Sequence, residues 1–293
     1  MTVDAHHHLW RIGEGYAWLE APALAPIRRT FGPADLDAAL DGSDVDRTVL
    51  VEGGREDTGE AAVLLAYAEQ TPRIAGVVAW ADPADPALAD TLAGYRALPG
   101  GSHLVGVRSQ VQGEADPGYL DRPDVRRGLR TVAAAGLPFD LVLRADQIPA
   151  AARLAGDLPQ VRFVLDHLGK PQISRKHSRE RGLDGWAGAL AALAAHPNVT
   201  AKLSGLVTEA DWTTWTVEDL RPYVETAVEL FGPDRLMYGS DWPVCLLAAT
   251  YPRVRAALDA ALPALTRAER AAVYGDTAIR TYDLAPYLVE QGG

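Results

Sequence analysis

The chain has 293 residues, 48% of them hydrophobic, with one cysteine and a formal net charge of -11. That much apolar chain buries a large core, and α/β barrels routinely use this length as one domain, so residues 1–293 are expected to form a single domain. The acidic balance argues against a general nucleic-acid binder, and the lone Cys245 excludes an intrachain disulfide. No apolar run is long enough to span a bilayer, and the amino terminus lacks the basic-then-apolar layout of a signal peptide. The expectation is a cytoplasmic protein with a small-molecule ligand and neither membrane nor nucleic acid as partner; its oligomeric state is unknown from these features.

Short aliphatic or β-branched runs alternate along the chain with Ala/Leu-rich helical stretches. Thr2–Ala5 leads straight into His6, His7 and His8. Thr48–Val51 precedes a helical pattern over Gly59–Glu69, and Ile74–Trp80 precedes Ala84–Ala97. Leu104–Arg108 precedes Arg122–Ala135, and Phe139–Leu143 precedes Pro149–Ala155. Arg162–Leu165 precedes Trp186–Ala195, Val199–Leu203 precedes Val217–Phe231, and Arg235–Tyr238 is the last strand run. Thr58 and Asp82-Pro83 offer capping chemistry at two helix starts. Eight strand runs alternating with helices predict parallel βαβ units, and eight is the number that closes a (β/α)₈ TIM-type barrel of the α/β class.

In such a barrel the site forms where the strands end at their carboxyl sides. His6 and His8 follow the first strand, and on extended chain they share a face while His7 points elsewhere. An expression-tag remnant is the bland alternative, but this run is embedded in an apolar segment rather than a Gly/Ser linker. Glu52 follows the second strand, Trp80 and Asp82 the third, Arg108 and Gln110 the fourth, and Arg144 the fifth. Asp166 and His167 follow the sixth, Lys202 and Ser204 the seventh, Asp241 and Trp242 the eighth. A strand-end histidine is often merely structural, and a lone Asp is ordinarily a turn former. Crowding on one rim favours chemistry: Asp241 as general base toward water, with His6, His8 and His167 around the reacting centre. Asp166 alternates away from His167 on extended chain and receives no catalytic role.

Arg108 has two readings, binding a substrate carboxylate or oxyanion, or pairing with a rim acid. Trp10, Trp80 and Trp242, beside strand ends, are expected with Arg108 and Lys202 to hold the substrate, with Trp18 and Trp212 as further wall candidates. His6, His8, His167 and Asp241 could together hold one divalent ion, and zinc suits an imidazole-rich set. The basic segment 174–181 reads as a solvated loop, and His103 and His196 belong to the opposite rim. There is no G-x-S-x-G elbow, phosphate loop or dinucleotide fingerprint, and Cys245 has no case as a nucleophile.

Four motifs occur in order: D-A-H-x-H from Asp4, L-D-H-L-G-K-P from Leu165, K-L-S-G from Lys202 with T-E-A from Thr208, and G-S-D-W-P from Gly239. With Gly106-Val107-Arg108 and Phe139–Leu143, this set resembles the amidohydrolase superfamily, and within it the lactonase-like branch of sugar-lactone and pyrone-dicarboxylate hydrolases. The resemblance runs from Asp4 to Asp283. It implies opening of a cyclic ester by directed water, with His6, His8, His167 and Asp241 around the carbonyl. It also implies a metal held weakly or dispensable, since no strand-end His follows His167 and the fifth strand end carries Arg144. Neutral sugar-acid lactones are the expected substrates. A metal-dependent decarboxylase of the same superfamily and a non-catalytic binding barrel are the alternatives, separable by proton release, carbon dioxide release or neither.

Overall fold

The computed structural model of the protein describes residues 1–173 and 179–287. Strands β1 (Val3–His7), β2 (Arg47–Val51), β3 (Ile74–Trp80), β4 (Leu104–Ser109), β5 (Phe139–Leu141), β6 (Phe163–Leu165), β7 (Val199–Leu203) and β8 (Leu236–Tyr238) form one sheet in chain order. Every neighbouring pair from β1·β2 to β7·β8 is parallel. Around them lie α1 (Pro33–Leu40), α2 (Gly59–Gln70), α3 (Leu88–Ala97), α4 (Pro123–Ala134), α5 (Ile148–Asp157), α6 (Arg179–Ala194), α7 (Val217–Phe231) and α8 (Tyr251–Ala261). Two short helices, α9 (Arg267–Ala271) and α10 (Thr277–Thr281), follow. The protein is a (β/α)₈ barrel, as the alternation predicts. No helix among the described residues is long and apolar enough to cross a membrane.

Element ends differ from the sequence reading where polar groups intervene. β1 continues through His6 and His7, which a count of aliphatic residues leaves out. At α2 it is the Asp57 carboxylate, not Thr58, that accepts from the Gly59 N–H, at 2.8 Å. Asp82 and Asp85 accept from Ala84 and Ala87 at 2.8 Å each, which turns the chain and delays α3 to Leu88. Residues 174–178 of the basic segment lie outside the described residues.

The interior of the barrel is filled at its amino-terminal end by Val3, Ala5, Val49, Val51, Val164 and Met237, closed off by Tyr282 and Leu284. Val3 and Ala5 face inward, so strict alternation would have turned His7 inward and sent His6 and His8 toward the helices. A bulge prevents this. Val3 and Asp4 pair with Arg47 and Thr48, but His7 pairs with Leu50, so one extra residue is inserted in β1. His7 consequently points outward, with Nε2 2.9 Å from Thr48 Oγ1, while His6 and His8 face each other inside, their Nε2 atoms 3.1 Å apart.

Asp4 holds the bulge and closes the barrel together. Its Oδ1 accepts from the N–H of His6 at 3.1 Å and of Ser240 at 2.8 Å, and its Oδ2 accepts from the Tyr251 hydroxyl at 3.0 Å. The join is continued by backbone bonds from Asp241 N–H to the His6 carbonyl (2.8 Å) and from His8 N–H to the Trp242 carbonyl (2.7 Å). Asp4→Ala leaves buried N–H groups unpaired and should cost about 2–4 kcal/mol of stability, on the scale of lost hydrogen bonds to a charged group. Urea unfolding measures this; a change below about 0.5 kcal/mol would contradict the assigned role.

Candidate active site

His6 from β1, His8 just after it, His167 from the turn after β6 and Asp241 from the turn after β8 meet at the carboxyl rim. Asp241 Oδ1 lies 3.5 Å from His8 Nε2, 3.8 Å from His6 Nε2 and 4.0 Å from His167 Nε2. These residues are far apart in sequence and adjoin only because β8 returns to β1. His8 Nδ1 lies 3.0 Å from the Val51 carbonyl, which can only accept, so Nδ1 carries a proton and Nε2 is the atom turned toward His6 and Asp241. His167 Nδ1 lies 2.9 Å from Ser204 Oγ, which fixes that ring. Asp241 has a left-handed backbone, φ 56°, unusual outside glycine.

Burial would raise the Asp241 carboxyl, but the neighbouring His167 and His8 outweigh it and hold the group below the usual carboxylate range. It is therefore ionised at neutral pH. Burial lowers His167 to about 4 and His6 well below the ordinary histidine value, so both imidazoles are neutral there.

Beneath the imidazoles lies a buried charge network. Lys202 Nζ is 2.6 Å from Asp140, 2.9 Å from Asp166 Oδ1 and 3.1 Å from His6 Nδ1. Arg108 donates through Nε to Glu52 at 2.5 Å and through Nη1 to Asp166 at 2.9 Å. Of its two readings, the pairing with acids is the one the geometry displays, although Arg108 also borders the cavity above. Asp166 points inward and carries both cations. The sequence reading passed over it because it assumed extended chain through His167, whereas the backbone turns left-handed there (φ 53°).

The cavity over the site measures about 530 Å³. Several expected substrate contacts are not on its wall. Lys202 is fully buried below the imidazoles, so its ammonium serves the network instead. Trp10 donates to the Arg29 carbonyl and packs on Phe31, Trp242 also packs on Phe31, and Trp80 likewise stays off the wall. Proximity to a strand end does not aim a ring inward; the loops that arch over the rim do. Trp18 and Trp212 line the cavity from those loops, with Gln110, Gln112, Lys170 and Glu209.

His6, His8 and Asp241 present three atoms able to share a cation. The 3.1 Å between the Nε2 atoms of His6 and His8 is near the separation of about 3.3 Å expected for two nitrogens in a tetrahedral zinc site. With Nδ1 donating to Val51, Nε2 is the His8 atom left to serve such an ion. A second grouping, His6, Asp166 and His167, is a poorer candidate, because Asp166 already carries Lys202 and Arg108. Zinc titration followed by calorimetry should accordingly give about one equivalent per chain, and Asp241→Asn should weaken it about 10-fold or more. Two equivalents of comparable affinity would contradict this.

The model of the amidohydrolase family matches residues 3–284. The chain is 38% identical to L-fucono-1,5-lactonase of Burkholderia multivorans, covering 97% of this chain and 96% of that one. It is 36% identical to L-fucono-1,5-lactonase of Burkholderia ambifaria, over 85% and 82%. A crystal structure of an amidohydrolase from Burkholderia multivorans with bound Zn superposes with a TM-score of 0.89 at 35% identity, covering 97% of this chain and 99% of that one. The chain belongs to the amidohydrolase family. Within it, the protein is an enzyme of the lactonase-like branch, a hydrolase of cyclic carboxylic esters.

Proposed function

We propose that this enzyme hydrolyses a neutral aldonolactone by directed attack of water on the ester carbonyl. The observation that carries the reading is the charge of the cavity wall. Its cations are Arg55, Arg108 and Lys170, and its acids are Glu56, Glu209 and Asp241. Each of those cations is already paired: Arg55 with Asp57 at 2.6 Å, Arg108 with Glu52 and Asp166, Lys170 with Glu209 at 3.9 Å. A substrate bearing two carboxylates would have to bury them without free counter-charges among the described residues, which is costly. A neutral, many-hydroxylated ring meets Gln110, Gln112 and two indoles instead. The two 1,5-lactonase relatives support the same class.

In this reading Asp241, ionised at neutral pH, accepts the proton of the attacking water. In the tautomer where Ser204 donates to His167 Nδ1, His167 Nε2–H donates to the oxyanion that forms. Lys202 and Asp166 fix the His6 ring from below. One divalent ion, zinc by donor type, would be held by His6 Nε2, His8 Nε2 and Asp241 Oδ1 and would supply Lewis-acid polarisation of the carbonyl.

A pH-indicator assay tests the class. L-Fucono-1,5-lactone and related neutral aldonolactones should show kcat/KM about tenfold or more above a pyrone dicarboxylate, the minimum expected from one poorly paired carboxylate. The opposite preference would overturn the neutral-lactone reading, and carbon dioxide release without ring opening would favour a decarboxylase. Asp241→Asn keeps the shape and removes the acceptor. It should lower kcat by about 10²–10⁴ with an unchanged circular dichroism spectrum, whereas near-normal turnover in folded protein would reject Asp241 as the base.

A further inference from the structure

Ring opening has a second half that the groups above do not serve. When the tetrahedral intermediate collapses, the carbonyl re-forms, the bond from carbon to ring oxygen breaks, and its electron pair leaves on that oxygen. An aliphatic alkoxide is a poor leaving group unless a proton reaches it as it departs. Asp241, having taken the water proton, lies on the side of attack.

The turn after β6 supplies another donor. His167, Leu168, Gly169 and Lys170 have φ of 53°, 50°, 70° and 52°, one complete left-handed turn built mainly from residues that disfavour it. Such strain persists only where the surroundings fix it. Here the Lys170 N–H donates to the His167 carbonyl at 2.9 Å, and Trp186 Nε1 clamps the Leu168 carbonyl at 2.8 Å. A Cβ at Gly169 would fall 2.6 Å from Ile148 Cδ1, and Pro171 disfavours the right-handed helical backbone at Lys170. The consequence is that two residues three apart both border the cavity, His167 and Lys170. Glu209 faces Lys170 from the loop after β7, its Oε1 3.9 Å from Nζ, and both side chains are about a quarter exposed. Lys170 thus stays beside its counter-charge while both side chains border the cavity.

We propose that Lys170 is a further catalytic residue, giving a proton to the departing ring oxygen, and that Glu209 is its positioning residue. This rests on the lactonase reading above. The step balances: the ammonium becomes an amine as the alkoxide becomes a hydroxyl, the proton held by Asp241 passes back through water to the amine, and the product acid ionises.

The test compares an aldono-1,5-lactone with the 1,5-thiolactone of the same acid. The two rings have nearly the same shape, but a thiolate, whose conjugate acid has a pKa of about 8.5, leaves without a proton. Lys170→Met should lose about 10²–10³ in kcat on the oxygen lactone, with KM within about threefold, and stay within about fivefold of wild type on the thiolactone. Glu209→Gln, which leaves the turn and Lys170 intact, should show the same selectivity with a loss of about tenfold. Added methylammonium should restore Lys170→Ala about tenfold on the oxygen lactone. Equal losses on both rings, near-wild-type turnover of the oxygen lactone, or absence of restoration by methylammonium would overturn the assignment. Wild-type enzyme that opens neither ring would instead overturn the lactonase reading itself.

Discussion

The site depends on one buried carboxylate that touches no substrate. A parallel strand whose residues alternate cannot aim Val3 and Ala5 into the barrel and then aim His6 and His8 there as well. The extra residue in β1 resolves the conflict but strands a backbone N–H, at the seam where the last strand must join the first. Asp4 accepts that N–H and one from Ser240, so the bulge and the closure are stabilised by the same oxygen. Burial pushes the Asp4 carboxyl upward, and its bonds to Ser240, His6 and Tyr251 oppose this. Closure in turn brings Asp241 against His6 and His8. Local geometry, barrel topology and the catalytic constellation thus share a single point of support.

Below the imidazoles the barrel core is ionic. Lys202 and Arg108 are held among Glu52, Asp140 and Asp166, all buried. Such pairs are weak contributors to net stability, since desolvating each ion costs several kcal/mol, but removing one partner strands the others. Their use here is orientation. Asp166 and Lys202 approach His6 Nδ1 from beneath, at 3.3 and 3.1 Å, so the ring cannot rotate away from the rim. Burial keeps His6 neutral, against the pull of the Asp166 charge and with the help of Lys202. A neutral imidazole presents a lone pair, which is what cation binding and hydrogen-bonding chemistry both need.

The upper rim stores conformational strain. His167, Leu168 and Lys170, with Asp241 on the neighbouring strand end but one, occupy left-handed backbone that costs about 1–2 kcal/mol per non-glycine residue. The surrounding packing over-determines that geometry, as at the Trp186 clamp, and its effect is direction: His167, Lys170 and Asp241 all border one cavity while Leu168 is buried in the core.

By itself the sequence determined the barrel, because eight aliphatic runs separated by helical patterns have few other ways to bury their apolar surface. It also determined the strand-end chemistry, since His6, His8, His167 and Asp241 stand immediately after those runs and their positions follow from the topology. Side-chain direction was another matter. Trp10, Trp80 and Trp242 are as close to strand ends as the imidazoles, yet their rings lie off the cavity wall, while Trp18 and Trp212 reach it from loops. Asp166 was set aside because alternation on extended chain separates it from His167; it points inward on the face of Val164, and the left-handed turn that brings His167 to the same site depends on contacts with Ile148 and Trp186. Whether Arg108 faces substrate or acids was open, and Lys202 was expected against substrate, until Glu52, Asp140 and Asp166 were brought beside them. Periodicity reports which residues are buried and where strands end. Bulges, reversed turns and buried ion pairs are decided by contacts between distant segments, and those exist only once the barrel has closed.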